Sequence, residues 1–208
     1  MFKKNTTRRR IFNGKSYKEN DLLSRYYGKL QCDVLFTKLF GKQIVFNNHS
    51  HKMKIDLVGT DAGGETEASL DVERCKNWVG EPEKNWEPYL YQRKLKLFSD
   101  YPKTFYWLKF NKNFSKFILL SINDFDGAVA KFDTRGGELL LYPREEVWRK
   151  NIYQNYYKDK DIEAELMKLN TDDVKYEEEC EILQHFWDKA QGKDSSYSFL
   201  STTEIGGV

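Results

Sequence analysis

The stretch "IDLVGTDAGGETEASLDVERCKNW", Ile55 to Trp78, places carboxylates at Asp56, Asp71 and Glu73 and an ammonium group at Lys76. Residues two apart on a strand share a face. Asp71 and Glu73 should therefore project together, while Val72 turns to the opposite, apolar side. Folding "KMKIDLVG" back onto "ASLDVERC" across the Gly63-Gly64 turn brings Asp56 close to both. Three carboxylates on one small patch repel one another and raise at least one pKa unless a cation stands among them. Hard divalent cations such as Mg²⁺ take oxygen ligands, typically one or two carboxylates plus substrate phosphate. A cation held this way polarises a phosphoryl oxygen and activates water, and a neighbouring lysine can position that water or stabilise the developing charge. The chemistry these residue types suit is metal-assisted phosphodiester hydrolysis. The competing interpretation is the solvated polar face of a half-exposed hairpin.

The elements that must position these groups can be read from pattern. "SYKE", Ser16 to Glu19, matches a capping box, and "NDLLSRYYGKL" places Leu22, Leu23, Tyr26 and Tyr27 on or near one helical face. Gly28 either ends this helix or lies within one that runs on towards Phe40. "KQIVFNN", "HKMKIDLVG" and "ASLDVERCKNW" are strand-like, with "TDAGGETE" as the turn between the last two. "GEPEKNWEP" is a loop, and "YLYQRKLKLFSDY" fits a helix. "KTFYWLKFN", "KFILLSIND" and "ELLLYP" fit strands. "REEVWRKNIYQNYY", "DIEAELMKL" and "DDVKYEEECEILQHFWDKA" fit helices. The order predicts an α/β class: a mixed sheet flanked by helices, with a helical C-terminal extension. The expected organisation is a basic arm over 1–15, a core over 16–143, a helical extension of the same domain over 144–190 and a flexible tail over 191–208.

The chain has 208 residues, 39% of them hydrophobic, which suffices for one sizeable core. No apolar stretch is long enough to span a bilayer, and the basic N-terminus lacks a following apolar segment. Cys32, Cys75 and Cys180 are scattered, without a CxxC or a disulfide framework. Together these predict a soluble, cytoplasmic protein without a membrane partner. The net charge of +2 hides an asymmetry. Lys3, Lys4, Arg8, Arg9, Arg10, Lys15 and Lys18 crowd the N-terminus without an acid between them. Such an arm can neutralise nucleic-acid phosphates, or it can be a solubilising tail.

Other chemistry-bearing residues have plainer explanations. His49 and His51 lie in the loop-like "FNNHSHK" and read as surface histidines; His185 sits among aromatics on a predicted helix. Trp78, Trp86 and Tyr89 could stack on bases, but core packing or loop anchoring explains them as well. Gly136-Gly137 lacks the lysine and helix start of a phosphate loop.

Asp56, a turn, then Asp71-Val72-Glu73 and Lys76 resemble the PD-(D/E)xK nuclease superfamily over about Ser16 to Asn111. In that superfamily a metal-binding Asp ends or interrupts one strand. The next strand carries an acid, one intervening residue and a lysine. The resemblance implies a restriction-endonuclease-like fold, with Glu19, or alternatively Asp21, as a further acid from the preceding helix. It implies Gln92 and Lys94 as residues that the following helix carries towards the site and the nucleic acid. The pattern departs at Ile55, where the family has proline, and at the lysine. With Asp71 as the second acid, Glu73 takes the lysine's place, as in some restriction enzymes. With Glu73 as the second acid, Cys75 takes that place and Lys76 follows it. The first register keeps the family's own spacing and is preferred. The resemblance implies a Mg²⁺-dependent (or Mn²⁺-dependent) nuclease, with DNA as the expected partner and substrate and endonuclease action expected. Asp56, Asp71, Glu73 and Glu19 would hold the metal, Lys76 would assist catalysis, and Arg8, Arg9, Arg10, Gln92 and Lys94 would contact nucleic acid; a homodimer stays open. The alternatives are a non-catalytic nucleic-acid-binding module of the same fold and a structural or protein-interaction domain.

Overall fold

The computed structural model describes residues 14–50, 55–79, 87–95, 104–134, 137–168 and 175–193, with side chains from Asp21 onward. Two sheets and four helices make up the described chain. The larger sheet has six strands in the order β1 (Ile44–Asn48), β2 (Leu57–Asp61), β3 (Thr66–Arg74), β5 (Thr104–Phe110), β6 (Lys116–Ser121) and β9 (Ile152–Gln154). The smaller has the order β4 (Leu90–Tyr91), β8 (Glu138–Tyr142) and β7 (Val129–Asp133). Every neighbouring pair is antiparallel except β3 and β5, which run parallel. Parallel neighbours need a crossover connection, and this one carries β4 and a 3₁₀ turn at Gln92–Lys94. The helices are α1 (Gly14–Phe40), the single turn α2 (Glu145–Trp148), α3 (Lys160–Lys168) and α4 (Tyr176–Ala190). The architecture is mixed α/β, with a mostly antiparallel sheet flanked by helices.

The period-2 alternation of strands divides the core. Ala68, Leu70 and Val72 of β3 and Leu108 and Phe110 of β5 pack against Leu22, Tyr26 and Tyr27 of α1, Leu166 of α3 and Leu183 and Trp187 of α4. Phe105 and Trp107 of β5 and Ile118 and Leu120 of β6 face the other way, towards Trp78, Leu90, Phe125 and Trp148. On that second face β3 presents Ser69, Asp71 and Glu73. The alternation that makes β3 a good core strand therefore also points its two acids together.

Helix α1 runs through Gly28. A Cβ at that position would meet the two Val72 methyls at 3.1 and 3.3 Å, so the missing side chain lets the helix lie close on β3. From Leu22 to Cys32 every residue of α1 is buried, because sheet and helices cover it from several sides. That blurs the one-sided periodicity expected of a surface helix. Two buried cations are matched within it. Arg25 donates to Glu179 at 2.8 Å, and Lys29 donates to Asp33 at 2.9 Å and to the Phe46 carbonyl. The expected cap at Ser16 falls inside α1, which begins at Gly14.

Two expectations for the elements are corrected. "YLYQRKLKLFSDY" begins as strand β4 and a 3₁₀ turn; Leu95, which follows, is helical, and the remainder lies outside the described residues. "REEVWRKNIYQNYY" is helical only for one turn and a 3₁₀ segment. Ile152–Gln154 then pairs with Lys116–Ile118 as the edge strand β9, so the C-terminal extension is only partly helical. β7 was not anticipated; its first four residues are all exposed, which leaves no alternation to read. Among the described residues, no helix is long and apolar enough to cross a membrane.

Gly59 of β2 supplies a direct test of packing. A Cβ there would stand 2.7 and 2.9 Å from ring carbons of Phe46, itself fully buried and edge-on to Phe36 at 4.9 Å. Overpacking of this kind costs about 1–3 kcal/mol. The variant Gly59→Ala should lower the urea midpoint correspondingly, without changing the slope of the transition.

Candidate functional site

Four elements bring the candidate residues together. In the β2–β3 register Leu57 pairs with Leu70. The Asp56 amide donates to the Leu70 carbonyl at 3.0 Å, so Asp56, just before β2, lies beside the Leu70–Asp71 stretch of β3. The Val72 amide donates to Asp56 Oδ2 at 2.6 Å, which fixes this carboxylate at the mouth of β2. From the other side, β5 places Lys109 level with Glu73 and Trp107 level with Asp71. Lys109 Nζ bonds Glu73 at 3.2 Å and lies 4.6 and 4.8 Å from the ring centroids of Tyr89 and Trp107. The 3₁₀ turn delivers Lys94, whose Nζ donates to both Asp71 Oδ2 and Glu73 Oε1. From α1 come Asp21 and Arg25, paired at 3.3 Å; both act electrostatically on Asp56.

The expected residues fare differently. Asp71 and Glu73 share Lys94, and Asp56 is linked to Asp71 electrostatically. Asp21, the alternative acid of α1, acts on Asp56, whereas the Glu19 side chain lies outside the described residues. Lys94 is drawn in beside the acids. Gln92 is exposed on the same turn, and Lys76 is exposed in the turn after β3. The ammonium groups bonded to the acids are thus those of Lys94 and Lys109. Trp78 is fully buried in the second core cluster, while His51, Trp86 and Arg8, Arg9 and Arg10 lie outside the described residues. Sequence reasoning missed Lys109, Arg25 and Glu179. The available signal was a lone cation in an apolar run, in "TFYWLKFN" and in "LLSRYYG".

The electrostatics follow from burial and from these pairings. Burial, then the charges of Asp71 and Asp21, raise the Asp56 carboxyl well above the ordinary carboxylate range, against the Val72 amide and Lys94. Burial also raises Asp71, although Lys94 opposes it. For Glu73 burial pulls upward too, but Lys109 and Lys94 outweigh it and hold the group down at about 2. Burial works against the charged form of Lys94, yet Asp71 and Glu73 more than offset this and raise it.

The sign of the pH dependence follows. A carboxyl raised in the folded chain stabilises the fold below its unfolded pKa of about 4, and that stability is lost as pH rises through the folded value. Glu73 contributes the opposite slope: its stabilisation is present above about 4.3 and is lost as pH falls towards its folded value. Without divalent cations, the melting temperature should rise as pH falls through the raised Asp56 titration towards about 4, and Glu73 should lower it again at more acidic pH. Melting curves of Asp56→Asn in EDTA should show a smaller rise than the wild type.

The class defined by fold and site is a mixed α/β domain whose central hairpin carries a partly buried carboxylate–lysine cluster beside the one parallel strand pair among the described residues. No family model, no curated protein and no solved structure matches this chain.

The donor set can be tested against a cation on chemistry alone. Asp21, Asp56, Asp71, Glu73 and Glu179 face Arg25, Lys94 and Lys109, which leaves two negative charges in excess when all are ionised. Carboxylate oxygens are the ligands hard cations take. Among the described residues, no three His, Cys, Asp or Glu side chains are spaced as a ready-made metal cage. Asp56 and Asp71 act on each other electrostatically, while Asp71 and Glu73 both bond Lys94 and Glu73 also bonds Lys109.

Proposed function

We propose that this chain is a Mg²⁺-dependent or Mn²⁺-dependent nuclease of restriction-endonuclease-like fold that hydrolyses phosphodiester bonds in DNA. One observation carries the reading: Asp56, half-buried at the entry to β2, and Asp71, buried on β3, repel each other, with Glu73 and two lysines beside Asp71. That arrangement costs stability in the cation-free chain and is put to use once a divalent cation and a phosphate arrive. The resemblance to the PD-(D/E)xK superfamily adds support, since it implies an acid from the preceding helix and a basic residue from the segment after the acidic strand. Asp21 and Lys94 fill those two places.

Asp56 and Asp71 would hold the cation, which would supply Lewis acidity at the phosphoryl group. Glu73, kept ionised by Lys109 and Lys94, accepts a hydrogen bond from the attacking water and orients it. Lys94 presents its ammonium where negative charge builds up in the transition state. Arg25 holds Asp21 and α4 in place behind Asp56.

The test is incubation of the pure protein with supercoiled plasmid, linear duplex and RNA, in Mg²⁺, Mn²⁺ or EDTA. Nicked or linear plasmid in the metal lanes alone supports the reading. Salt-sensitive DNA binding without cleavage in any metal favours the non-catalytic binding module, and neither binding nor cleavage favours the structural domain.

A further inference from the structure

Three turns are laced together at one end of the larger sheet. The Lys112 amide donates to the Trp78 carbonyl at 2.8 Å, and the Asn155 amide donates to the Ser115 carbonyl at 2.8 Å. The Asn155 side chain also donates to the Phe114 carbonyl, at 2.7 Å. The turn after β3, the turn between β5 and β6 and the segment after β9 thus form one platform. Each contributes an exposed lysine: Lys76, Lys112 and Lys158. Arg74 joins them. Its Nε donates to the Lys112 carbonyl at 2.7 Å, and its guanidinium lies 4.9 Å from the centre of the Phe114 ring. Lys158 donates to the Asn113 carbonyl at 2.6 Å. Among the described residues, Lys76, Lys112 and Lys158 form no ion pair with a carboxylate. Two acids close by in sequence are engaged otherwise. Asp159 accepts from the Asp161 and Ile162 amides at 2.9 and 3.2 Å, and Glu163 accepts from the Tyr27 hydroxyl at 3.0 Å. Beside Lys158 on the same segment, Tyr156 is 84% exposed.

We propose that this platform binds single-stranded DNA: Lys76, Lys112 and Lys158 take backbone phosphates, and Tyr156 stacks on an unpaired base. The proposal rests on the reading above for its class of partner and adds the surface that holds the strand. A lysine that meets only a neutral carbonyl, or only solvent, keeps its whole charge for phosphate. A tyrosine ring this bare gains little from burial in the folded chain. Aromatic faces set among cations grip single strands irrespective of sequence, because every base has a face to stack. In a duplex those faces are covered by neighbouring bases, so Tyr156 selects the single strand. Lys76 closely follows Glu73 along the chain, so the platform adjoins the end of β3 that carries the acids.

The experiment measures binding of the full chain to a labelled oligothymidylate, and to a duplex of the same length, by fluorescence anisotropy. It is run in EDTA over a series of salt concentrations, so neither cleavage nor a metal enters. Every variant is first shown to melt cooperatively. Wild type should prefer the single strand. The triple variant Lys76→Gln, Lys112→Gln, Lys158→Gln should make the salt dependence of log K shallower by about two, since each phosphate contact on a single strand contributes about 0.7. The same three positions changed to arginine should keep the wild-type slope. A control triple, Lys38→Gln, Lys168→Gln, Lys193→Gln, removes equal charge elsewhere and should also keep it. Tyr156→Ala should weaken binding by about tenfold without changing the slope. An unchanged slope in the glutamine triple, an equal change in the control, full affinity in Tyr156→Ala or no binding by wild type would each overturn the proposal. Should the glutamine triple not fold, Lys76→Gln alone and Tyr156→Ala decide. The nuclease reading fails separately, by absence of cleavage in metal. Cleavage by a glutamine triple that binds and cuts like wild type would leave that reading standing without this surface.

Discussion

Asp56→Asn should abolish cleavage while leaving the fold intact or slightly more stable. The asparagine keeps a carbonyl oxygen that can accept from the Val72 amide, so the bond that fixes the mouth of β2 survives. What it loses is the charge that, on the proposed reading, would hold a hard cation beside Asp71. Metal polarisation supplies several kcal/mol of transition-state stabilisation, so the rate should fall by about three orders of magnitude. The same substitution removes one of the mutually repelling groups Asp21, Asp56 and Asp71, so the cation-free melting temperature should be equal to or above that of wild type. Cleavage rate and melting temperature measured on the same preparations separate the outcomes. Full activity in the variant would remove Asp56 from the chemistry, and loss of folding together with activity would mark the hairpin acids as structural.

The second large effect concerns stability. Arg25 is fully buried and bonds Glu179 at 2.8 Å, Asp21 at 3.3 Å and Asn48 at 3.3 Å, beneath the Tyr176 ring. Glu179 is 1% exposed. Arg25→Met would leave that carboxylate without its cation in the interior, at a cost of about 3–5 kcal/mol. The double variant Arg25→Met with Glu179→Leu removes both charges and should recover most of the loss, because a well-packed apolar pair can replace a buried ion pair at little cost. Urea midpoints of the two single variants and the double variant give the coupling. Nearly additive losses would show that the pair does not act as a unit. Activity should not recover with stability, since Asp21 and Asp56 still lack the guanidinium behind them.

Much of the site was legible because β3 and β5 obey strand alternation. Asp71 and Glu73 could be placed on one face from spacing alone, and the glycine turn carried Asp56 across to them. Lys109 was not legible. Its importance comes from standing level with Glu73 on a parallel strand reached through a long crossover, and no local pattern encodes that register. Lys94 was anticipated as a residue brought towards nucleic acid; its grip on Asp71 and Glu73 depends on where the 3₁₀ turn lands. The lysine expected close after the acids, Lys76, lies in an exposed turn. Helix α1 was legible in its first turns, but the sequence does not decide whether it ends at Gly28 or runs on towards Phe40. Gly28 is tolerated in mid-helix because the sheet presses against it there, a reason that exists only in the packed chain. β9 and β7 show the same limit, one defined by three residues pairing with β6 and the other an exposed edge.

The position of the cation tests the central claim most directly. Crystals soaked in Mn²⁺ and measured at its absorption edge should show an anomalous peak between the carboxylates of Asp56 and Asp71, within about 2.0–2.3 Å of an oxygen of each. A well-diffracting, Mn²⁺-soaked crystal with no peak between them, or with its only peak elsewhere on the molecule, would contradict it.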